Sequence, residues 1–228
     1  GSQDQGFQRS IVPGDGVLDF IQSISGDYGH LSSGDEGESI WCNYPGFTLY
    51  YSSPATGGGS LSLDFPGSGH LWLAPLIEDP YNPNQAYLAG GGLSEGNHLF
   101  HLTIGNSSIN YEEEPYDFNS TVSAMGYSPI ELNHRYVLTY YGSFYHSNDD
   151  GNNWQISSAF DGPDAHYFYG STIWASSSTP GMVIIGGSGY SNPPVYISHN
   201  HGNTFDPLNE GLPNTLVFEL VGTPDDEY

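Results

Sequence analysis

The chain has 228 residues and a formal net charge of −24, because 26 acidic residues face only two basic ones, Arg9 and Arg135. A field of this sign repels phosphate groups, so it excludes nucleic acid as a partner and disfavours anionic membranes. No apolar run is long enough to insert into a bilayer, and the single Cys42 rules out an intrachain disulfide framework.

Short strand-like runs separated by polar or glycine-rich turns follow one another along the chain. They group into four units at residues 17–63, 72–118, 121–160 and 171–208, with flanking strands at 6–13 and 216–224. The second strands of three successive units align at Tyr87, Val137 and Val183, which lie 50 and 46 residues apart.

Four strands in each period of about 40–50 residues predict an all-β fold, a β-propeller of four-stranded antiparallel blades. A β-sandwich would leave this period unexplained. The chain opens on the last strand of one blade and closes on the first strand of another. We therefore expect a propeller segment of about four blades within a larger chain, or a ring whose remaining blades come from another polypeptide.

A polar turn recurs in the third and fourth units. Residues 147–154 and 198–205 share a serine, an Asp or Asn, a glycine and a large aromatic at equal spacing. Ser and Asp side chains hydrogen-bond to nearby backbone amides, and glycine supplies a positive φ, so the pattern predicts a structural hairpin turn. The predicted turn residues are Ser147, Asp149, Gly151 and Trp154, and Ser198, Asn200, Gly202 and Phe205. A third, eroded copy is predicted at 53–61.

The two turns resemble the Asp-box, or BNR repeat, Ser-x-Asp-x-Gly-x-x-Trp. The phrases at 79–87 and 209–218 are similar to sortilin/Vps10-like and glycosidase-like Asp-box propellers, especially secreted multidomain proteins of marine Bacteroidota. In that family the box stabilises the fold away from the active face. The resemblance therefore implies an architecture and a secreted or cell-surface location, and it does not identify a site.

Enzyme activity remains open, with a non-catalytic role favoured. The sialidase chemistry associated with this family clamps a carboxylate with three arginines, and this chain has only two. Glycoside hydrolysis needs two carboxylates beside the scissile bond. The weak candidates on or beside predicted inner strands are Asp19, Glu78, Glu131 and Glu219.

Candidate ligand-binding aromatics lie near predicted strand ends and loops, where they would stack on sugars or anchor a protein. They are Tyr140, Tyr141, Tyr167, Tyr169 and Tyr190, and packing between blades is their alternative role. Trp41, Trp72 and Trp174 are predicted to lie in the core.

No cofactor is predicted, although Asp149 and Asp150 are weak calcium candidates. The closest histidine pairs, His98 with His101 and His199 with His201, lack an evident third ligand and are interpreted as surface residues.

Together these patterns predict a non-catalytic extracellular recognition or scaffold module that binds a protein or a glycan. The alternatives are a glycoside hydrolase of the Asp-box propeller type acting on a polysaccharide, and a purely structural part of a cell-surface assembly.

Overall fold

The computed structural model describes residues 4, 6–10, 20–27, 29–53, 58–92, 96–158, 160–166, 170–188, 190, 193–208 and 210–223. They form four four-stranded antiparallel sheets, arranged as a four-bladed β-propeller, and one two-stranded sheet. Within each sheet, strands that follow one another along the chain pair with one another, as expected for short hairpin connections. The predicted all-β propeller fold is confirmed. None of the described residues belongs to a helix long and apolar enough to cross a membrane.

The strands follow the chain in order. The two-stranded sheet contains β1 (Phe7–Ser10) and β2 (Phe20–Ile24). The first blade contains β3 (Leu31–Ser32), β4 (Ser39–Tyr44), β5 (Phe47–Ser52) and β6 (Ser60–Asp64). The second contains β7 (Leu76–Asp79), β8 (Asn82–Ala89), β9 (Leu99–Ile104) and β10 (Ile109–Glu113). The third contains β11 (Val122–Tyr127), β12 (Arg135–Thr139), β13 (Phe144–Ser147) and β14 (Gln155–Ile156). The fourth contains β15 (Thr172–Ala175), β16 (Val183–Gly186), β17 (Val195–Ser198) and β18 (Asp206–Pro207).

The first strand of each blade is the inner one. Contacts join β3 to β7, β7 to β11 and β11 to β15, so these strands lie around the middle of the propeller. They enclose a cavity of about 400 Å³ whose lining includes His30, Leu76, Met125, Ile173 and Glu219. Burial lowers the pKa of the His30 imidazole. Because strands alternate in direction, the turns after the first and third strands of every blade open on the same face of the propeller.

The hydrophobic core lies between the blades. One cluster packs Trp41 of the first blade with Leu88, Phe100 and Leu102 of the second. Two further clusters join the second blade to the third and the third to the fourth, the latter around fully buried Phe144. Each sheet therefore covers its faces with its neighbours, and this explains why middle strands such as β12 are buried at every residue.

The predicted first unit, residues 17–63, begins too early. The first blade starts at Leu31. Strand β2 belongs to a separate sheet, because it pairs with β1, the antiparallel strand that precedes it in sequence. The predicted strand at 216–224 is reduced to an isolated bridge between Leu216 and Ser188, and residue 224 lies outside the described residues.

Of the three tryptophans predicted to lie in the core, Trp41 is fully buried, Trp174 is partly buried and Trp72 is exposed. Burial raises the pKa of the free Cys42 thiol to about 12. Trp72 is 54% exposed, because β7 begins only at Leu76, after Pro75.

Candidate functional site in a cleft between the second and third blades

The turn at residues 147–154 is closed by its own side chains. The Ser147 hydroxyl donates to Asp149 Oδ1 at 2.8 Å and accepts the Gly151 amide at 2.9 Å. Asp149 also accepts the Asn153 amide at 2.9 Å and the Asn153 side-chain amide at 2.6 Å. The hydrogen bonds from Asn153 are the main cause of the lowered pKa of Asp149, so its carboxylate is held ionised within the turn.

The turn at 198–205 repeats this geometry with Asn200 in place of the aspartate. Ser198 Oγ donates to Asn200 Oδ1 at 3.0 Å and accepts the Gly202 amide at 2.9 Å. Asn200 Oδ1 in turn accepts the Thr204 amide at 3.0 Å. The same hydrogen bonds therefore close both hairpin turns, whether the third residue is an aspartate or an asparagine.

A third turn of this kind, which the sequence analysis did not predict, lies in the first blade at residues 33–39. Ser33 Oγ donates to Asp35 Oδ1 at 3.0 Å and accepts the Gly37 amide at 2.9 Å, and Asp35 Oδ1 accepts the Ser39 amide at 2.9 Å. The sequence contains the Ser-x-Asp-x-Gly pattern at this position. It differs from the other two turns in that Ile40 stands at the aromatic position and the turn follows the first strand of its blade instead of the third. The predicted copy at 53–61 falls partly on residues 54–57, outside the described residues.

One residue of each turn has a left-handed backbone and precedes the glycine. Asp150 has φ 63°, His201 has φ 59° and Glu36 has φ 58°. At two of these positions the side chain reaches the preceding blade: Asp150 Oδ1 accepts the Tyr81 hydroxyl at 2.9 Å, and His201 Nδ1 lies 3.7 Å from Glu131 Oε2. The turns therefore also connect neighbouring blades.

The contact of Asp150 with Tyr81 borders a cleft of about 530 Å³ between the second and third blades. Aromatic rings form much of its wall, and carboxylates lie among them. The aromatic lining residues are Tyr81, Tyr87, Tyr116, Phe118, Tyr127, Tyr136 and Trp154. The acidic ones are Glu78, Glu114 and Asp150.

Arg135 is the cation of this cleft, and it is buried. Its Nη2 lies 3.5 Å from Asp79 Oδ2 and 3.9 Å from Asp150 Oδ1, and its guanidinium carbon lies 4.7 Å from the centre of the Tyr87 ring. Burial, only partly opposed by Arg135, raises the pKa of Tyr87 to about 12. The arginine Nε has no hydrogen-bond partner within the described residues, so one buried donor remains for a ligand.

The inner carboxylates of the second blade are already engaged. Glu78 Oε1 accepts the Tyr127 hydroxyl at 2.6 Å, and burial followed by this bond raises the pKa of Tyr127. Asp79 Oδ1 accepts the amides of Tyr81 and Asn82 at 2.8 and 3.1 Å. Both groups therefore hold the cleft wall in place.

The three weak catalytic candidates that the structure describes do not converge. Glu78 lines the cleft, Glu131 lies beside His201 at the next blade junction, and Glu219 lines the central cavity. Asp19 lies outside the described residues. The separate positions of Glu78, Glu131 and Glu219 therefore do not support hydrolysis by any two of them acting as a pair.

The described aromatic candidates, Tyr140, Tyr141 and Tyr190, do not line the cleft. Tyr140 and Tyr141 contact each other edge to face at 5.2 Å, and Tyr141 and Tyr190 are 70% and 72% exposed. Tyr167 and Tyr169 lie outside the described residues. The cleft aromatics were missed because they come from four separate segments, and only the blade packing brings these together. The calcium role of Asp149 and Asp150 stays a prediction, although both carboxylates already accept protein hydrogen bonds.

Comparison with known protein families and with curated proteins gave no match. The chain is similar in fold to a GH74 enzyme from Niastella koreensis, with a TM-score of 0.58 and 15% identity over 86% of this chain and 31% of that one. An ancestral GH74 enzyme matches with a TM-score of 0.54 and 16% identity over 88% of this chain and 24% of that one. YCF48 bound to D1 peptide matches with a TM-score of 0.51 and 13% identity over 81% and 56%. At these identities the similarity shows the fold alone. The chain spans less than a third of the length of either GH74 structure.

Proposed function

We propose that this protein is a non-catalytic extracellular recognition module that binds an uncharged glycan in the cleft between its second and third blades. The observation that carries the proposal is the composition of the cleft wall, where seven aromatic residues surround carboxylates and one buried arginine. Sugar rings present apolar C–H faces that pack on aromatic rings and hydroxyl groups that bond to carboxylates and guanidinium.

Charge favours an uncharged ligand over an acidic one. The chain carries a net charge of −24, and the cleft itself contains Glu78, Glu114 and Asp150 against Arg135. Arg135 is already paired with Asp79, so it cannot attract uronates, sulfates or sialic acids strongly. The cleft volume of about 530 Å³ is in the range of small-ligand sites and suits one or two sugar units of a longer chain.

Binding without turnover is supported by the state of the acidic groups. Glu78 is held by Tyr127, Asp79 by two backbone amides, and Asp150 by Tyr81. Groups fixed in this way orient a ligand and are poorly placed to exchange protons with it. The proposed location outside the cell rests on the resemblance of the polar turns to the Asp-box of secreted propellers.

The test is a screen of neutral and acidic oligosaccharides, followed by calorimetry with the best neutral binder. Tyr81→Ala removes a 57% exposed ring of the cleft and should weaken binding by roughly 3- to 10-fold, the worth of one aromatic contact. Tyr141→Ala removes a tyrosine outside the cleft that is 70% exposed, and it should leave affinity unchanged. Equal effects of the two substitutions, or binding of acidic sugars alone, would refute the proposal.

A glycoside hydrolase is the second candidate, and the fold similarity to two GH74 enzymes is the observation that favours it. Release of reducing ends from any polysaccharide that the protein binds would decide for this alternative. Loss of that release in Glu78→Gln, with binding retained, would assign the reaction to the cleft.

A further inference from the structure

A second cluster of polar side chains lies where the third blade meets the fourth, on the face that carries the polar turns. Glu131 and His134 come from the turn between β11 and β12, and His201 comes from the turn between β17 and β18. One ligand atom from each side chain lies within 4.8 Å of the others. The imidazoles of His134 and His201 are stacked, with ring centres 4.0 Å apart.

The donor atoms of this cluster are buried and unsatisfied. Glu131 Oε2, His134 Nδ1 and His201 Nδ1 have no hydrogen-bond partner among the described residues, although His201 Nδ1 lies 3.7 Å from Glu131 Oε2. Buried polar atoms are nearly always paired, because leaving one unpaired costs about 1–3 kcal/mol. Three such atoms in one place point to a shared partner that accepts electron pairs.

That partner is better supplied by a metal ion than by a proton. A proton can bridge only two of these atoms, whereas one metal ion can accept an electron pair from all three, which lie within 4.8 Å of one another.

The backbone at His201 places its side chain in this position. His201 has φ 59°, a left-handed conformation that a residue with a Cβ adopts at a cost of roughly 1–2 kcal/mol. Its amide donates to the Gly181 carbonyl at 2.9 Å, and a Cβ at Gly181 would stand 3.1 Å from His201 Nε2. Glycine at 181 thus leaves room for the ring, and the turn directs it at the preceding blade.

We propose that Glu131, His134 and His201 bind one divalent transition-metal ion, best matched by Zn²⁺. Two imidazoles and one carboxylate form a ligand set that favours zinc over calcium or magnesium, which prefer oxygen ligands throughout. The two stacked rings splay apart on binding, since a metal lies in the plane of each imidazole that holds it. The ligand atoms are buried, but the side chains of His201 and Glu131 are 27% and 33% exposed, so water can reach the edge of the cluster and supply a fourth ligand.

This site is independent of the glycan cleft, because it joins the third blade to the fourth and shares no lining residue with the cleft. Metal binding would tie the two blades together through their exposed turns. It would therefore raise the stability of the folded protein in proportion to metal occupancy.

The experiment is a titration with Zn²⁺ and Co²⁺ of protein stripped with a chelator, in excess Ca²⁺ to saturate the acidic surface. We expect one ion per chain, a cobalt absorption spectrum of tetrahedral type, and a melting temperature that rises with Zn²⁺ and falls again with chelator. His201→Asn keeps a residue that tolerates the left-handed backbone, and it should weaken binding by about 100-fold or more. Glu131→Gln is the second variant, and it should also weaken metal binding.

His199→Asn is the matched control, because His199 is an exposed histidine two residues away in the same turn. It should bind metal like the parent protein. Thermal unfolding in chelator checks that all variants fold. Binding that Ca²⁺ displaces, or that His201→Asn and Glu131→Gln leave unchanged, would assign the ions to the acidic surface and overturn the proposal.

Discussion

Replacing the serine of a polar turn tests whether these turns stabilise the blades. Ser147 is 2% exposed, and its hydroxyl makes three hydrogen bonds, to the Gly151 amide at 2.9 Å, the Asp149 amide at 3.3 Å and Asp149 Oδ1 at 2.8 Å. Ser147→Ala removes all three and leaves the Gly151 amide without its acceptor. At about 0.5–1.5 kcal/mol for each bond, less for the long one, the loss is about 1–3 kcal/mol.

For a domain of this size the loss corresponds to a fall in melting temperature of roughly 2–10 °C. Ser198→Ala should give a similar fall, because Ser198 makes the equivalent bonds to Gly202 and Asn200. The double variant should be additive, since the two turns share no hydrogen-bond partner. Calorimetry measures both, with Ser158→Ala at an exposed position as control. A shift within about 1 °C of that control would refute the stabilising role.

Two further predictions concern the same turns. Gly202→Ala should destabilise the protein more than Gly151→Ala in urea unfolding: both positions have positive φ, but a Cβ at 202 would meet the buried Phe144 ring at 2.2 Å, whereas at 151 the nearest atom is 3.3 Å away. Equal losses of stability in the two variants would show that the positive φ alone sets the cost and that the Phe144 contact adds nothing. The pKa of Asp149 is lowered in the fold, so its stabilising contribution is present above the unfolded value of about 4 and is lost as pH falls through the folded value. Asp149→Asn should therefore flatten the acid side of the stability profile, and an unchanged profile would contradict this linkage.

Much of the fold follows from local pattern. The strand period and the polar turns identify blades because each depends on residues close together in sequence. The β1–β2 sheet was misassigned because the choice between neighbouring strands depends on pairing energies that a period does not reveal. Trp72 was misplaced for a related reason, since a strand-like run of apolar residues does not show where pairing begins.

Most of the residues of the two candidate sites could not be predicted from the sequence. The cleft unites Tyr81, Tyr116, Arg135 and Trp154 from different turns and strands, and the second cluster unites His201 with a histidine 67 positions earlier, His134. Such neighbours are set by packing between blades. The histidine pair His199 and His201 drew attention by spacing, but the structure divides it: His201 points to the preceding blade, and His199 is exposed.

Hydrogen exchange with and without a bound neutral oligosaccharide shows whether the cleft is a glycan-binding site. We expect protection at residues 78–87, 114–118 and 150–154, which contribute to the cleft lining, and recovery of the oligosaccharide intact. Protection at His30 and Glu219 around the central cavity, with the cleft segments unchanged, would contradict this expectation.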